Sequence, residues 1–158
     1  MTKISELPSR QGPRPDTTHP TREHPHPHEQ KSQNAPSVLQ EELFERTSNL
    51  PGVTVADSKV SVPGARAFFI ADDHPIGPPE AFQRDREFAH IHPRHDGSLH
   101  LTLPPDGYRE VLEKGWGEPH PISGTMMVFG PRDPDELETV WAIVQTSYRW
   151  AAGLDVAQ

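Results

Sequence analysis

The stretch EFAHIHPRHDGSLHLTL (residues 87–103) carries a hairpin pattern and four of the ten histidines of the chain. Two segments in which polar and apolar residues alternate, 87–92 and 98–103, flank the turn sequence PRHDG. Alternation with a period of two predicts half-buried β-strands, and Asp96-Gly97 favours a tight turn between them. The stretch therefore predicts two antiparallel strands, each with an apolar and a polar face.

The turn decides which residues oppose each other across this pair of strands. If Asp96-Gly97 closes the hairpin, His90 lies directly opposite His100. Opposed Cβ atoms lie roughly 4.5–5.5 Å apart, and His92 is on the same face, two residues along its strand. The leucines of the second strand form the apolar row and must face the core. The three imidazoles, together with Phe88, are therefore predicted on the opposite face.

Three imidazoles on one face support two kinds of chemistry. They can hold a divalent metal ion with an open coordination position, as in catalytic zinc sites and several oxygen-activating metal sites. They can equally work without a metal, with His90 or His100 taking a substrate proton and His92 orienting it. The predicted cofactor is thus either none or a divalent metal held by His90, His92 and His100. A structural alternative is a sheet face that is simply exposed to water.

The segments around the hairpin predict an α+β fold. Further strands are expected at Val53–Ala56, Lys59–Val62, Ala65–Ile70 and within TMMVFG (125–130), the second and third paired through a Pro63-Gly64 turn. Helices are expected at Ser37–Leu50 and Pro105–Lys114 and after the N-cap Asp133. Short connections imply a mostly antiparallel sheet with helices packed on one face.

The first 36 residues differ in composition from the rest of the chain. They are rich in Pro, His, Thr and charge, and contain few large apolar residues. Such a segment buries too little apolar surface to offset its ordering entropy, so a disordered tail is predicted at 1–36, with the histidines of HPHPH (24–28) in solvent. The folded domain is expected at 37–153, followed by a tail at 154–158. The proline-containing loop at 71–86 is expected to be a flap over the sheet face.

Composition excludes several classes of function. Lys plus Arg number 15 against 23 Asp plus Glu, and the net charge of −8 argues against nucleic-acid binding. The absence of cysteine excludes thiolate metal ligands and a cysteine nucleophile. No stretch approaches the roughly 20 apolar residues of a membrane span, and no secretory signal is visible. A soluble, cytoplasmic protein with no membrane partner is therefore expected.

Other polar and aromatic residues are candidates for substrate binding. Arg66 is predicted on the exposed face of its strand, where it can hold an anionic group. Trp116, within GWGEPHP (115–121), is expected either to line a pocket for a flat ligand or to be buried as an anchor of its loop. Glu118 and His120 of the same segment can complete the site from the loop above the sheet. His95 lies in the hairpin turn and is expected to be exposed.

Four motifs, in this order along the chain, resemble the fungal luciferase-like domain family. They are VSVPGAR (60–66), EFAHIHPRHDGSLH (87–100), GWGEPHP (115–121) and MVFGPRDPDELETVW (127–141). The similarity covers roughly residues 38–153. The resemblance implies that His90, His92, Asp96, His100, Trp116 and His120 occupy motif positions of the family.

The resemblance also implies an oxygen-using activity. The fungal enzyme adds dioxygen to a hydroxylated styryl-pyrone, 3-hydroxyhispidin, and the resulting endoperoxide loses carbon dioxide with emission of light. For this chain the expected function is an oxygenase acting on an electron-rich cyclic enol, with a small molecule and dioxygen as its partners. The alternative is a non-catalytic module that binds a small molecule or a metal.

Overall fold

The computed structural model describes residues 4–154, so the ends of the two predicted tails, 1–3 and 155–158, lie outside it. The elements are α1 (Ser37–Ser48), β1 (Val53–Asp57), β2 (Arg66–Ile70), β3 (Glu87–Ile91), β4 (Leu99–Leu101), α2 (Pro105–Glu113), β5 (Gly117–Pro119), β6 (Met126–Val128) and α3 (Pro134–Ala151). The six strands form one antiparallel sheet in the order β1-β2-β3-β4-β6-β5. The predicted α+β fold is confirmed.

The longest helix, α3, supplies much of the apolar core. Asp133 caps its first turn, as predicted, by accepting a hydrogen bond from the backbone N–H of Glu136 at 2.8 Å. Its apolar stripe packs against the sheet, where Tyr148 contacts Phe88 with ring centroids 6.1 Å apart. No helix within residues 4–154 combines the length and the apolar character needed to cross a membrane.

The first hairpin differs from the predicted one. Residues 59–62 do not form a strand, and β2 pairs instead with β1, Ala67 opposite Ala56. The Pro63-Gly64 turn does form, because Ala65 N–H donates to Val62 C=O at 3.2 Å and Gly64 has a φ of 91°. A type II turn does not match the twist of two paired strands, so this turn lies inside the loop between β1 and β2.

A β-bulge in β3 changes which side chains face the core. Phe68 pairs with Ala89, but Phe69 pairs with Glu87, which leaves Phe88 as an extra residue on β3. The regular alternation of β3 ends at this point. Phe88 is fully buried against Phe68 and the core, and not on the histidine face as predicted, whereas Glu87 faces the histidines.

The expected disordered tail is the largest difference from the sequence prediction. Residues 4–36, here called the N-terminal arm, lie against the folded body. Leu7 is buried in the core, Trp116 donates a hydrogen bond to Pro8 C=O at 2.7 Å, and Gly130 N–H donates to the side chain of Gln30 at 3.0 Å. Hydrogen bonds to buried polar groups help to hold the arm in place, and a count of apolar residues in the sequence does not reveal such bonds.

Candidate active site

The predicted pairing of the two histidine strands is confirmed. His90 lies opposite His100 across β3 and β4, and the backbone N–H of His92 donates to Ser98 C=O at 2.8 Å. The ring centroids of His92 and His100 are 4.8 Å apart, and His90 lies 5.3 and 5.2 Å from them. All three side chains are at most 4% exposed. The alternative of a water-exposed sheet face is therefore wrong.

The three rings line a cavity of about 210 Å³. The N-terminal arm contributes Pro25, His26 and His28 to its walls. The other lining residues are Val60, Ser61, Gln83, His120, Ile122, Ser123 and Thr125. Typical ligand pockets enclose roughly 300–1,000 Å³, so this smaller cavity has room for one reactive ring of a substrate.

Glu87 fixes the tautomer of His90. Its buried carboxylate accepts hydrogen bonds from Ser58 Oγ at 2.8 Å and from Lys59 N–H at 3.0 Å, and lies 2.9 Å from His90 Nδ1. Because an ionised carboxylate only accepts, Nδ1 carries the proton of His90 and Nε2 carries the lone pair. This Nε2 is buried and has no hydrogen-bond partner in the described part of the chain. A buried ring nitrogen without a partner calls for a functional explanation.

His90 is held in its neutral form. Burial lowers its pKa, and the hydrogen bond with Glu87 opposes this only in part. The charges of His92 and His26 lower the pKa of His90 further. The lone pair on Nε2 is thus available at neutral pH.

Asp96 orients His92 in a similar way. His92 Nδ1 lies 3.1 Å from Asp96 Oδ2 and 2.9 Å from Ser98 Oγ, and the Ser98 hydroxyl donates to Asp96 Oδ1 at 2.6 Å. Asp96 is fully buried and does not line the cavity, so the expected substrate-binding role is corrected to support of His92. Burial would raise the pKa of Asp96, but its interactions with His92 and Ser98 outweigh this and lower it.

A row of hydrogen-bonded rings runs from His92 to the arm. His92 Nε2 and His100 Nδ1 are 3.0 Å apart, His100 Nε2 and His28 Nδ1 are 2.8 Å apart, and His28 Nε2 lies 2.8 Å from Glu118 Oε2. We call His92, His100 and His28 the imidazole chain; Asp96 and Glu118 are its two ends. Burial and the charges of the neighbouring histidines hold the pKa of His100 well below its ordinary value. His28 was missed in the sequence because it lies in the segment predicted to be disordered.

The histidine hairpin lies within a recognisable family domain. Residues 85–147 match the family model described as the Luciferase domain. Over these residues the chain is luciferase-like. The luciferase of Armillaria gallica is 29% identical to it over 167 residues, and that of Armillaria mellea 30% over 169 residues. Each alignment covers 91% of this chain and 60% of the relative.

A luciferase of Neonothopanus nambi is 35% identical over 99 residues, which cover 52% of this chain and 37% of the relative. The luciferase-like chain thus spans about 60% of the length of its Armillaria relatives. No solved structure matches it significantly.

His120 and Glu118, the two candidates from the GWGEPHP segment, differ in their position relative to the cavity of the luciferase-like chain. His120 lines the cavity, but its Nε2 lies 2.9 Å from Pro25 C=O, and its Nδ1 accepts from the backbone N–H groups of Ile122 and Ser123. Both ring nitrogens are therefore engaged, and His120 holds the arm in place. Glu118 lies behind the cavity wall, at the end of the imidazole chain.

Arg66 and Trp116 lie outside the site of the luciferase-like chain. The Arg66 guanidinium donates to Glu41 at 2.8 Å and stacks on Phe44 at 3.8 Å, so it faces helix α1 and not the histidines. Ala67 is opposite His90, which means that the sequence prediction had assigned the two faces of β2 the wrong way round. Trp116 is a core residue, only 2% exposed.

The expected flap is also corrected. Within residues 71–86, Gly77 N–H donates to Ala151 C=O of α3 at 2.9 Å, and the Arg86 guanidinium donates to the carbonyls of Ile70 and Ala71. From this loop only Gln83 lines the cavity. The segment that covers the histidine face is the N-terminal arm.

The three histidines on the sheet lie close enough together to hold a metal ion. One ligand nitrogen from each ring lies within 4.8 Å of the other two. Two of the rings, His92 and His100, are hydrogen-bonded to each other, and this bond occupies one nitrogen of each ring. A metal bound through these nitrogens would replace the hydrogen bond, so the arrangement fits both the metal-bound and the metal-free alternative.

Proposed function

We propose that the luciferase-like chain is an oxygenase acting on an electron-rich cyclic enol, such as a hydroxypyrone. The observation that carries this proposal is the buried Nε2 of His90, which has no partner among the described residues and belongs to a ring that lines the cavity. A general base needs an available lone pair, a fixed orientation and contact with the substrate proton. The His90–Glu87 pair meets the first two requirements, and the cavity provides the third.

The reaction begins with transfer of the enolic proton to His90 Nε2. The imidazolium that forms is stabilised by the Glu87 carboxylate, 2.9 Å from Nδ1. The O–H electron pair stays on the substrate and is delocalised onto a ring carbon. That carbon then forms a bond with dioxygen, which takes up the two electrons and becomes a bound peroxide anion. The substrate is oxidised and dioxygen reduced, so no external reductant is needed.

The enclosed site also favours catalysis over simple binding. Burying the carboxylate of Glu87 and an unpaired imidazole nitrogen costs free energy, because both lose their hydration. A pocket that only binds a flat apolar ligand gains nothing from this arrangement. A general base gains from this burial, because electrostatic interactions are stronger where water is excluded.

Oxygen uptake with 3-hydroxyhispidin tests the proposal. We expect the full-length protein to consume one dioxygen per substrate, and the rate to survive dialysis against EDTA, because the lone pair of His90 and not a metal activates the enol. An oxygen electrode measures both, with heat-denatured protein as the control. Saturable binding without oxygen uptake would favour the non-catalytic alternative. Loss of turnover on chelation that one divalent metal restores would contradict the metal-free mechanism.

The rate should depend on the protonation of His90. His90 works as a base only above its pKa, so kcat/KM is expected to fall as the pH drops through that pKa. Since burial, opposed by Glu87 and reinforced by His92 and His26, holds the pKa of His90 below the ordinary 6.5, kcat/KM is expected to reach half of its maximum below that pH. Glu87→Gln removes an interaction that raises the pKa and should move the acid limb lower. A half-maximal kcat/KM above pH 6.5 would contradict this assignment.

A further inference from the structure

Gln83 is held at the cavity wall by its backbone. Its N–H donates to Glu87 C=O at 2.8 Å, and Glu87 N–H donates to Arg84 C=O at 2.9 Å, so a tight turn joins Gln83 to strand β3. The carboxylate of the same Glu87 lies 2.9 Å from His90 Nδ1. Glu87 therefore fixes the position of Gln83 relative to His90, and both Gln83 and His90 line the cavity.

The side-chain amide of Gln83 has a fixed orientation. Its Nε2 lies 2.9 Å from His100 C=O and 3.4 Å from Phe88 C=O. Because backbone carbonyls only accept hydrogen bonds, the NH2 group faces them and uses both of its protons there. The side-chain carbonyl oxygen, Oε1, is the other end of the amide, and within residues 4–154 no group donates to it. Gln83 thus offers the cavity an acceptor that cannot turn into a donor.

Neighbouring polar groups of the wall do not have this property. The hydroxyls of Ser123 and Thr125 lie 2.9 Å apart and bond to each other, and both ring nitrogens of His120 bond to backbone groups. The hydroxyl of Ser61 can rotate and either donate or accept, so it does not distinguish a donor from an acceptor on a ligand. Oε1 of Gln83 does distinguish them, because it binds only a group that brings a proton.

We propose that Gln83 is a specificity-determining residue whose side-chain carbonyl accepts a hydrogen bond from a second hydroxyl group of the substrate ring. The first hydroxyl is the enol that His90 deprotonates, so this assignment rests on the proposed function. A cavity of about 210 Å³ has room for one ring, which places the substituents of that ring against the wall. The site then selects cyclic enols that carry a further hydrogen-bond donor on the same ring.

The selection has an energetic basis in the unpaired acceptor. A ligand without the second hydroxyl removes water from Oε1 and gives nothing in return, which weakens binding more than the loss of one hydrogen bond would in water. A ligand with a methoxy group in this place presents a second acceptor and is disfavoured in the same way. Because Gln83 is half-buried and not fully enclosed, we expect a preference of about 10-fold.

Two pyrones that differ by one hydroxyl group test the proposal. 3-Hydroxyhispidin carries two adjacent hydroxyl groups on its pyrone ring, whereas hispidin carries one. Isothermal titration calorimetry without oxygen measures the Kd of the full-length protein for each compound, independently of turnover. We expect the wild type to bind 3-hydroxyhispidin about 10-fold more tightly than hispidin. Gln83→Met keeps a similar shape but has no amide, so its two Kd values should be equal.

Gln11→Met is the matched control. Gln11 lies on the surface of the arm, where its Nε2 donates to Ser9 C=O at 3.1 Å, and it does not line the cavity. This variant should keep the wild-type ratio of Kd values. Gln83→Asn is a second test variant, because its shorter side chain keeps an amide but draws the carbonyl oxygen back from the ligand, and the ratio should fall. Circular dichroism checks that each variant is folded like the wild type.

A wild type that binds both pyrones equally would overturn the proposal, whatever the variants do. A preference that persists in Gln83→Met would also overturn it, and loss of that preference in Ser61→Ala would assign the second hydroxyl to Ser61. Oxygen uptake is measured separately on the same proteins. Selective binding without oxygen uptake would contradict the proposed function, while the role of Gln83 in recognition would be confirmed. Uptake without selectivity would overturn the role of Gln83 alone.

Discussion

Replacement of His90 by glutamine is expected to lower kcat for oxygen uptake by about 10²- to 10⁴-fold, the usual contribution of a general base. A glutamine amide can replace the hydrogen bond to Glu87, but it cannot take a proton from the enol. The loss should appear in kcat and in kcat/KM alike, because proton transfer is completed only in the transition state. Steady-state oxygen uptake over a range of substrate concentrations separates the two parameters.

His95→Gln provides the matched comparison within the same hairpin. The side chain of His95 is 66% exposed and pairs with Glu29, so its replacement should leave turnover at the wild-type rate. Circular dichroism and the unfolding midpoint should be similar in both variants. A His90→Gln enzyme with wild-type turnover would remove His90 from the mechanism.

Replacement of Phe88 by alanine is expected to lower the free energy of unfolding by about 3–5 kcal/mol, the usual cost of removing a buried phenylalanine side chain. The β-bulge turns Phe88 into the core, where its ring centroid lies 6.5 Å from that of Phe68 and 6.1 Å from that of Tyr148. Truncation leaves a cavity between the sheet and α3. Urea denaturation at neutral pH measures the loss.

Phe69→Ala is the control for this prediction. Phe69 lies at the same bulge, on the neighbouring strand, but its side chain is only half-buried, so its truncation should cost clearly less. If β3 alternated regularly, Phe88 would share the face of His90, and its loss would affect the cavity more than the core. Equal costs for the two variants would contradict the position assigned to Phe88.

The histidine pairing was predictable because local rules determine it. A tight turn at Asp96-Gly97 leaves a single pairing for the flanking residues, and Gly97 adopts the positive φ of 78° that glycine readily allows. The start of α3 was predictable for a similar reason. Asp133, Pro134 and Glu136 carry the N-terminal signals of a helix in the residues themselves.

The contact between His90 and Glu87 could not be predicted, because one extra residue in a strand reverses the faces on which the following side chains lie. Nothing in the letters EFAHIH marks the bulge, and regular alternation assigns Glu87 to the core and Phe88 to the site. The position of Arg66 could not be predicted for the same reason, because counting alternate residues along a strand does not show which face of the strand covers the core. These positions depend on how β2 and β3 pair, and that pairing is set by the whole sheet.

The role of His28 was hidden for another reason. In HPHPH, each of His24, His26 and His28 adjoins a proline, yet only the third is buried, at 3% exposed. Its environment comes from His100 and Glu118, which are 72 and 90 residues away along the chain. Local composition contains no information about partners at such separations.

These separations along the chain also determine when the cavity can form during synthesis. During synthesis the arm leaves the ribosome before the groups that receive it, because His100 and Glu118 follow His28 by 72 and 90 residues along the chain. A chain that ends before residue 118 lacks the part of the cavity wall formed by His120, Ile122, Ser123 and Thr125. The cavity can therefore be completed only after both the arm and residues 120–125 have been translated.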